Sequence, residues 1–217
     1  MMARERGLTL LEVVLALLVA SAAVVLLAFA MGRRREEARV IRCRNHLNCL
    51  AKAMATYLNE HGGNRWYPCP LGLGAKANTY NGAEWLASLY WARIHPSPYC
   101  FICPSSGDTN HDGRDLGAHR AAPTFGSQTV SYAAMHYRSL TDDAGNPKAG
   151  ALRDDFPPNE VMACDDTEGS VNHAGPYAGM AVLFFDSHVE FWAKKNRPID
   201  IERGVGTKGG PLWRLRN

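Results

Sequence analysis

The strongest pattern along the chain is a change of periodicity within one apolar stretch. From Val13 to Gly32 no charged residue occurs, and Val, Leu and Ala follow one another without a polar face. About 20 such residues suffice to cross a bilayer as a helix at ~1.5 Å per residue. Past Arg33–Arg35 the apolar residues thin into a stripe. Val40, Cys43, Leu47, Leu50, Met54 and Tyr57 recur at spacings of three and four, which predicts that the helix runs on with one face packed against a core. The glycines of "NEHGGN" (59–64) stop it.

The later pattern changes from helix to strand. Asn81 and Glu84 have capping-box spacing, and "AEWLASLYWARI" after Asn81 predicts a short helix whose aromatics face a core. "QTVSYAAMHY" (Gln128–Tyr137) and "EVMACD" (Glu160–Asp165) read as strands, separated by the polar loop "TDDAGNPKAG". "GMAVLFFDSHVEFWA" (Gly179–Ala193) is the clearest hairpin: an apolar run, a turn at Asp186-Ser187, then alternation through Val189 and Phe191. A polar tail is expected from about Arg197.

Composition narrows this picture modestly. A chain of 217 residues fits one domain with an appendage. Its 24 Lys and Arg against 21 Asp and Glu give a net charge of +3, too balanced to suggest nucleic acid as a partner. The basic cluster Arg33–Arg35 follows the apolar run directly and reads as a membrane-surface or assembly patch.

The one acidic residue near the start of the apolar run, Glu12, needs a reason. A carboxylate in hydrocarbon costs roughly 2.5 kcal/mol or more. A secretory signal peptide cut near "VASAA" (19–23) and a plain membrane anchor are two readings of this segment, and neither accounts for Glu12. A third does. "RG-LTLLE" (Arg6–Glu12) resembles the processing site of type IV prepilins and type II secretion pseudopilins. The resemblance implies that prepilin peptidase cuts after Gly7 and methylates the new amino terminus at Leu8. It also implies that Glu12, the fifth mature residue, pairs in a filament with the amino group of a neighbouring subunit. Leu8 stands where phenylalanine is commoner.

"RCRNHLNCLAKAMATYLNEHGG", "CPSS", "SYAAMHY" and "NHAGPYAGMAVLFFDSHVEFW" extend the resemblance to a group of pseudopilin-like proteins with a Cys-bearing helix, a Cys-Pro-Ser loop and a terminal His…Asp-Gly-His-Val hairpin. Ser187 stands where that group usually has glycine, and the gap from His173 to Asp186 is wider. The implied fold is α+β and pilin-like, a long N-terminal helix packed on a small antiparallel β-sheet head. The implied organisation is a leader (1–7), a transmembrane or filament-core helix (8–32), its amphipathic continuation (33–61), a globular head (62–197) and a polar tail (198–217). The implied function is structural: a subunit of a type II secretion pseudopilus or type IV pilus-like filament. Its partners would be prepilin peptidase, other pilin or pseudopilin subunits, the inner-membrane assembly platform, and membrane lipid before assembly. The chain would sit in the inner membrane as a single pass with an extracytoplasmic head, then in a periplasmic or surface filament. The alternative is a membrane-anchored extracytoplasmic binding or sensor protein using the same signal.

Candidate chemistry is sparse. His173, Asp186 and His188 offer a catalytic or metal-binding reading, against a plainer and preferred one in which Asp186 makes a tight turn and His188 sits on a strand face; His46 and Glu60 read as solvated helix positions. Nucleophile-elbow, phosphate-loop and His-Glu-x-x-His motifs are missing, so no enzymatic role is expected. The six cysteines, Cys43, Cys49, Cys69, Cys100, Cys103 and Cys164, are disulfide candidates in an exported head, with connectivity open. Zinc is the rival reading, on the spacing of Cys100 and Cys103. "GDTNHDGRD" places Asp108, Asn110 and Asp112 at alternate positions before Gly113, with Asp115 close behind. This is the opening of an EF-hand-type loop and makes calcium a candidate ligand, although His119 occupies the place of the closing glutamate. An ordinary polar turn accounts for the same residues.

Overall fold

The computed structural model describes residues 9–69, 81–94, 97–117, 125–135, 152–165 and 171–217. It has a long N-terminal apolar helix and a small five-stranded antiparallel sheet, an α+β layout.

Helix α1 spans Leu10–Glu60 without a break, joining the apolar and amphipathic segments. Thr9 caps it: the Thr9 hydroxyl accepts from the Glu12 amide, and the Glu12 carboxylate accepts from the Thr9 amide. This capping box satisfies two otherwise orphan donors. The expected stripe is buried at Val40, Cys43, Leu47, Leu50 and Met54, joined by Ala51 and Ala53, and Tyr57 is half-buried. After Glu60 the chain folds back, the amides of His61 and Gly62 both donating to the Tyr57 carbonyl. A Cβ on Gly62 would lie 2.1 Å from the Trp66 carbonyl oxygen, so this return requires glycine.

Helix α2 spans Gly82–Trp91 and begins with the expected Asn81–Glu84 capping box. Trp85 is completely buried, as expected of its aromatics. Gly82 lets the helix start press on the sheet: a Cβ there would meet the carbonyl oxygens of Ala134 and Arg216, each at 2.2 Å.

The strands are β1 (Tyr132–Met135), β2 (Val161–Asp165), β3 (Gly179–Phe184), β4 (Val189–Ala193) and β5 (Leu215–Arg216), in the order β4-β3-β2-β1-β5. Tyr132 faces Asp165 across β1 and β2, and Cys164 faces Val182 across β2 and β3. The β3–β4 hairpin turns where expected, but its Ser187 has φ 72°, in the left-handed region. Glycine, the residue at this position in the resembling group, adopts that conformation freely, whereas a side chain costs roughly 1–2 kcal/mol. The helix α1 lies against β3 and β4, and α2 against β1 and β5.

The tail expectation is corrected. Residues 198–217 are part of the head: a third helix, α3 (Pro198–Arg203), is followed by β5, which pairs with β1. Ile201, Leu212 and Leu215 are buried in the common core. Three apolar side chains spaced too irregularly to show a period still remove enough surface from water to hold a segment down.

Candidate functional site

The processing residues Gly7 and Leu8 lie outside the described residues. Glu12, the residue expected to serve assembly, is within them and is exposed. Its carboxylate accepts hydrogen bonds from the Thr9 amide at 2.8 Å and the Thr9 hydroxyl at 3.0 Å. The spacing Thr-x-x-Glu could have announced this box in the sequence. Around it Leu10, Leu11, Leu15, Leu17 and Leu18 are all more than 60 % exposed. The helix is long and apolar enough here to cross a membrane.

A second site lies deeper, where α1 meets the head. Four elements each bring one polar side chain to the same point: Cys43 from α1, Cys103 from the loop after a short 3-10 turn (Pro98–Phe101), Asp165 from the end of β2, and His173 from the segment before β3. All four are completely buried. One ligand-type atom from each lies within 4.8 Å of every other. The Cys43 thiol donates to Asp165 Oδ1 at 2.8 Å. His173 Nε2 lies 3.3 Å from Asp165 Oδ2 and 3.8 Å from Cys103 Sγ.

Further groups surround these atoms. His173 Nδ1 lies 3.1 Å from Glu36 Oε1, which also accepts from the Ser105 hydroxyl at 2.8 Å. Asp165 Oδ2 accepts from the Ala181 amide at 2.9 Å, and the Tyr132 hydroxyl approaches Cys43 Sγ at 3.6 Å. A buried polar group without partners is costly, and here each has at least one.

The electrostatics follow from this packing. Burial pushes the Cys43 thiol well up, reinforced by Cys103 and the Asp165 carboxylate. The neighbouring Cys43, helped by His173, holds the Cys103 thiol below its ordinary range, against its own burial. Burial disfavours a charged His173, but its bonds to Asp165 and Cys103 prevail and push it up to about 10. Burial works against Glu36 as well, and Ser105 and His173 outweigh it, leaving that carboxyl low. A thiol beside an imidazole and a carboxylate has the makings of a nucleophile. With all four side chains fully covered, a substrate has no route to the sulfur in this conformation.

The sequence reading treated His173 with Asp186 and His188, and the structure separates them. Asp186 and His188 hydrogen-bond to each other on the exposed β3–β4 turn, where the His188 ring stacks on Phe184. His46, expected in solvent, is half-buried with Nδ1 2.9 Å from the Ile102 carbonyl oxygen. Cys100 and Cys103 also part: Cys103 joins Cys43, whereas Cys100 lies beside Cys49, and burial together with that neighbour raises its thiol to about 11. These two couples carry no sulfur–sulfur bond. Cys69 is half-buried near Tyr57, and Cys164 is buried on β2.

In the calcium-like loop the side-chain oxygens of Asn110, Asp112 and Asp115 have partners within the protein. Asn110 is buried, donating to the Pro98 carbonyl and accepting from the Gly113 amide. Asp112 accepts from the Tyr99 hydroxyl, Asp115 bonds His111, and the Asp108 amide bonds Ser106. Among the described residues, Asp108, Asp112 and Asp115 do not form a converging group, and the cluster of Cys43, Cys103, Asp165 and His173 does.

No family model, curated protein or solved structure matches the chain.

Proposed function

We propose that this chain is a structural subunit of a helical filament, a type II secretion pseudopilin or a type IV pilin-like protein. Prepilin peptidase removes residues 1–7 and methylates Leu8, and the subunit assembles through α1. The observation that carries this reading is the continuity of α1: an apolar half exposed along its length runs directly into a half that buries one stripe in the head. A surface of that extent requires a cover. Inner-membrane lipid provides it before assembly, with the head on the extracytoplasmic side, and the same segment of neighbouring subunits provides it afterwards. Contacts that repeat head to tail without closing give an open helix.

Glu12 fits this scheme as the counter-charge for the Leu8 ammonium of an adjacent subunit. Removing one member of a desolvated ion pair costs about 3–5 kcal/mol. The test is the state of the mature protein. Terminal mass spectrometry of sheared filaments should find N-methyl-Leu8. Glu12→Ala should be processed but fail to enter filaments, with Glu12→Asp less affected. An intact leader, or a cut near Ala23, overturns the processing step. Mature protein that stays monomeric in the membrane beside a working assembly system favours the anchored binding-protein reading instead.

A further inference from the structure

We propose that Cys43, Cys103, Asp165 and His173 bind one zinc ion that fastens α1 to the head. The donor set is two sulfurs, one imidazole nitrogen and one carboxylate oxygen, a combination that suits zinc. Tetrahedral zinc with bonds of about 2.0–2.3 Å keeps its ligand atoms roughly 3.3–3.8 Å apart. The 3.3 Å between His173 Nε2 and Asp165 Oδ2, and the 3.8 Å between His173 Nε2 and Cys103 Sγ, lie in that range. With Asp165 ligating through Oδ2, the 2.8 Å hydrogen bond from the Cys43 thiol to Oδ1 is given up when the metal replaces the thiol proton.

The surrounding groups are those a zinc ligand set needs. A ligating histidine ordinarily gives its other ring N–H to a carboxylate, which fixes the tautomer and orients the ring. Glu36 occupies that position on His173 Nδ1 and is itself held by Ser105. With the Nδ1 proton directed to Glu36, the Nε2 lone pair faces the two sulfurs. The Ala181 amide holds Asp165, and the Tyr132 hydroxyl stands beside Cys43 Sγ. Binding releases the two thiol protons to solvent, and the His173 Nε2 proton where present; no electron is transferred.

A Cys43–Cys103 disulfide is the competing use of these sulfurs. It would leave the buried Asp165 and His173, with half-buried Glu36, as an ionic group with no bond to the sulfurs. The zinc site uses all five residues. Its four ligands come from α1, a loop, a strand and the chain before the next strand, so the ion acts as a structural clasp where the membrane-length helix enters the head.

The test uses the full chain, untagged by histidines, extracted in detergent under reducing conditions and dialysed against zinc. One zinc per chain is expected by elemental analysis. Cobalt exchanged into the site should show thiolate-to-metal charge-transfer absorption and the visible bands of tetrahedral coordination. Stripping zinc with a strong chelator should lower the melting temperature of the head by about 10 °C, reversed by zinc but not by magnesium. Glu36→Gln, which keeps the shape of the site, should weaken zinc binding about 10–100-fold while the head stays folded. Cys103→Ser should abolish the cobalt charge-transfer band or reduce it strongly. Wild-type protein that binds no zinc while its thiols titrate as free overturns the proposal. So does protein from its own envelope with a Cys43–Cys103 disulfide and no metal, and so does cobalt with a spectrum free of sulfur ligation.

Discussion

The two halves of α1 belong to one unbroken helix, yet they meet opposite surroundings. In the first half Leu17 and Leu18 are 65 % and 62 % exposed, and in the second Leu47 and Leu50 are fully buried. The difference lies in the amount and the arrangement of apolar residues. The first half is apolar on every side, so no single face can be given to a core, and the whole cylinder wants an apolar medium. The second half confines its apolar residues to one stripe, and the head covers that stripe. One helix therefore carries two instructions.

The sharpest way to break this comparison is a charge placed in each half. Leu47→Asp should prevent the head from folding, because an unpaired carboxylate in the core removes at least about 3–5 kcal/mol; limited proteolysis would show loss of the resistant head. Leu17→Asp should leave the head resistant but weaken membrane retention, with an insertion cost of roughly 2.5–3.5 kcal/mol. If Leu17→Asp also unfolds the head, the halves are not independent.

Truncation sharpens the same contrast. Leu50→Ala should cost about 2–5 kcal/mol of head stability by denaturant unfolding in detergent. Leu18→Ala should change it by less than about 0.5 kcal/mol. The two glutamates of α1 form the next pair. Glu36→Ala deprives buried His173 of a partner and should cost about 1–3 kcal/mol. Glu12→Ala should leave head melting unchanged, since its contacts are with Thr9. The smallest effect belongs to the cap. Thr9→Ala should loosen the first turn by about 1 kcal/mol, visible as faster amide exchange near Glu12 with no change in the head.

The same contrast explains what the sequence revealed. A helix stripe and a two-residue turn are local patterns, so Val40 through Met54, the Asn81 cap and the Asp186-Ser187 hairpin were legible. The strand β5 was not, because two residues cannot display alternation. The buried cluster was harder still. Cys43, Cys103, Asp165 and His173 have no mutual spacing to read, since β-sheet pairing and helix docking bring them together. Spacing alone also did not give the neighbours: Cys100 and Cys103 lie three apart but turn to different partners, and Asn110 and Asp112 sit in a calcium-like run while bonding Gly113 and Tyr99.

The wide separation of the cluster's members along the chain has a consequence in time. Cys43 and Asp165 are 122 residues apart, and Cys103 and His173 are 70 apart. Gathering them in an unfolded chain means closing long loops before any contact compensates, so they meet late. Bonds made after the rate-limiting step do little to hasten folding and chiefly slow the reverse reaction. Whatever fastens this cluster would act as a latch, engaging once the head has closed on α1 and lengthening the life of the closed form under load.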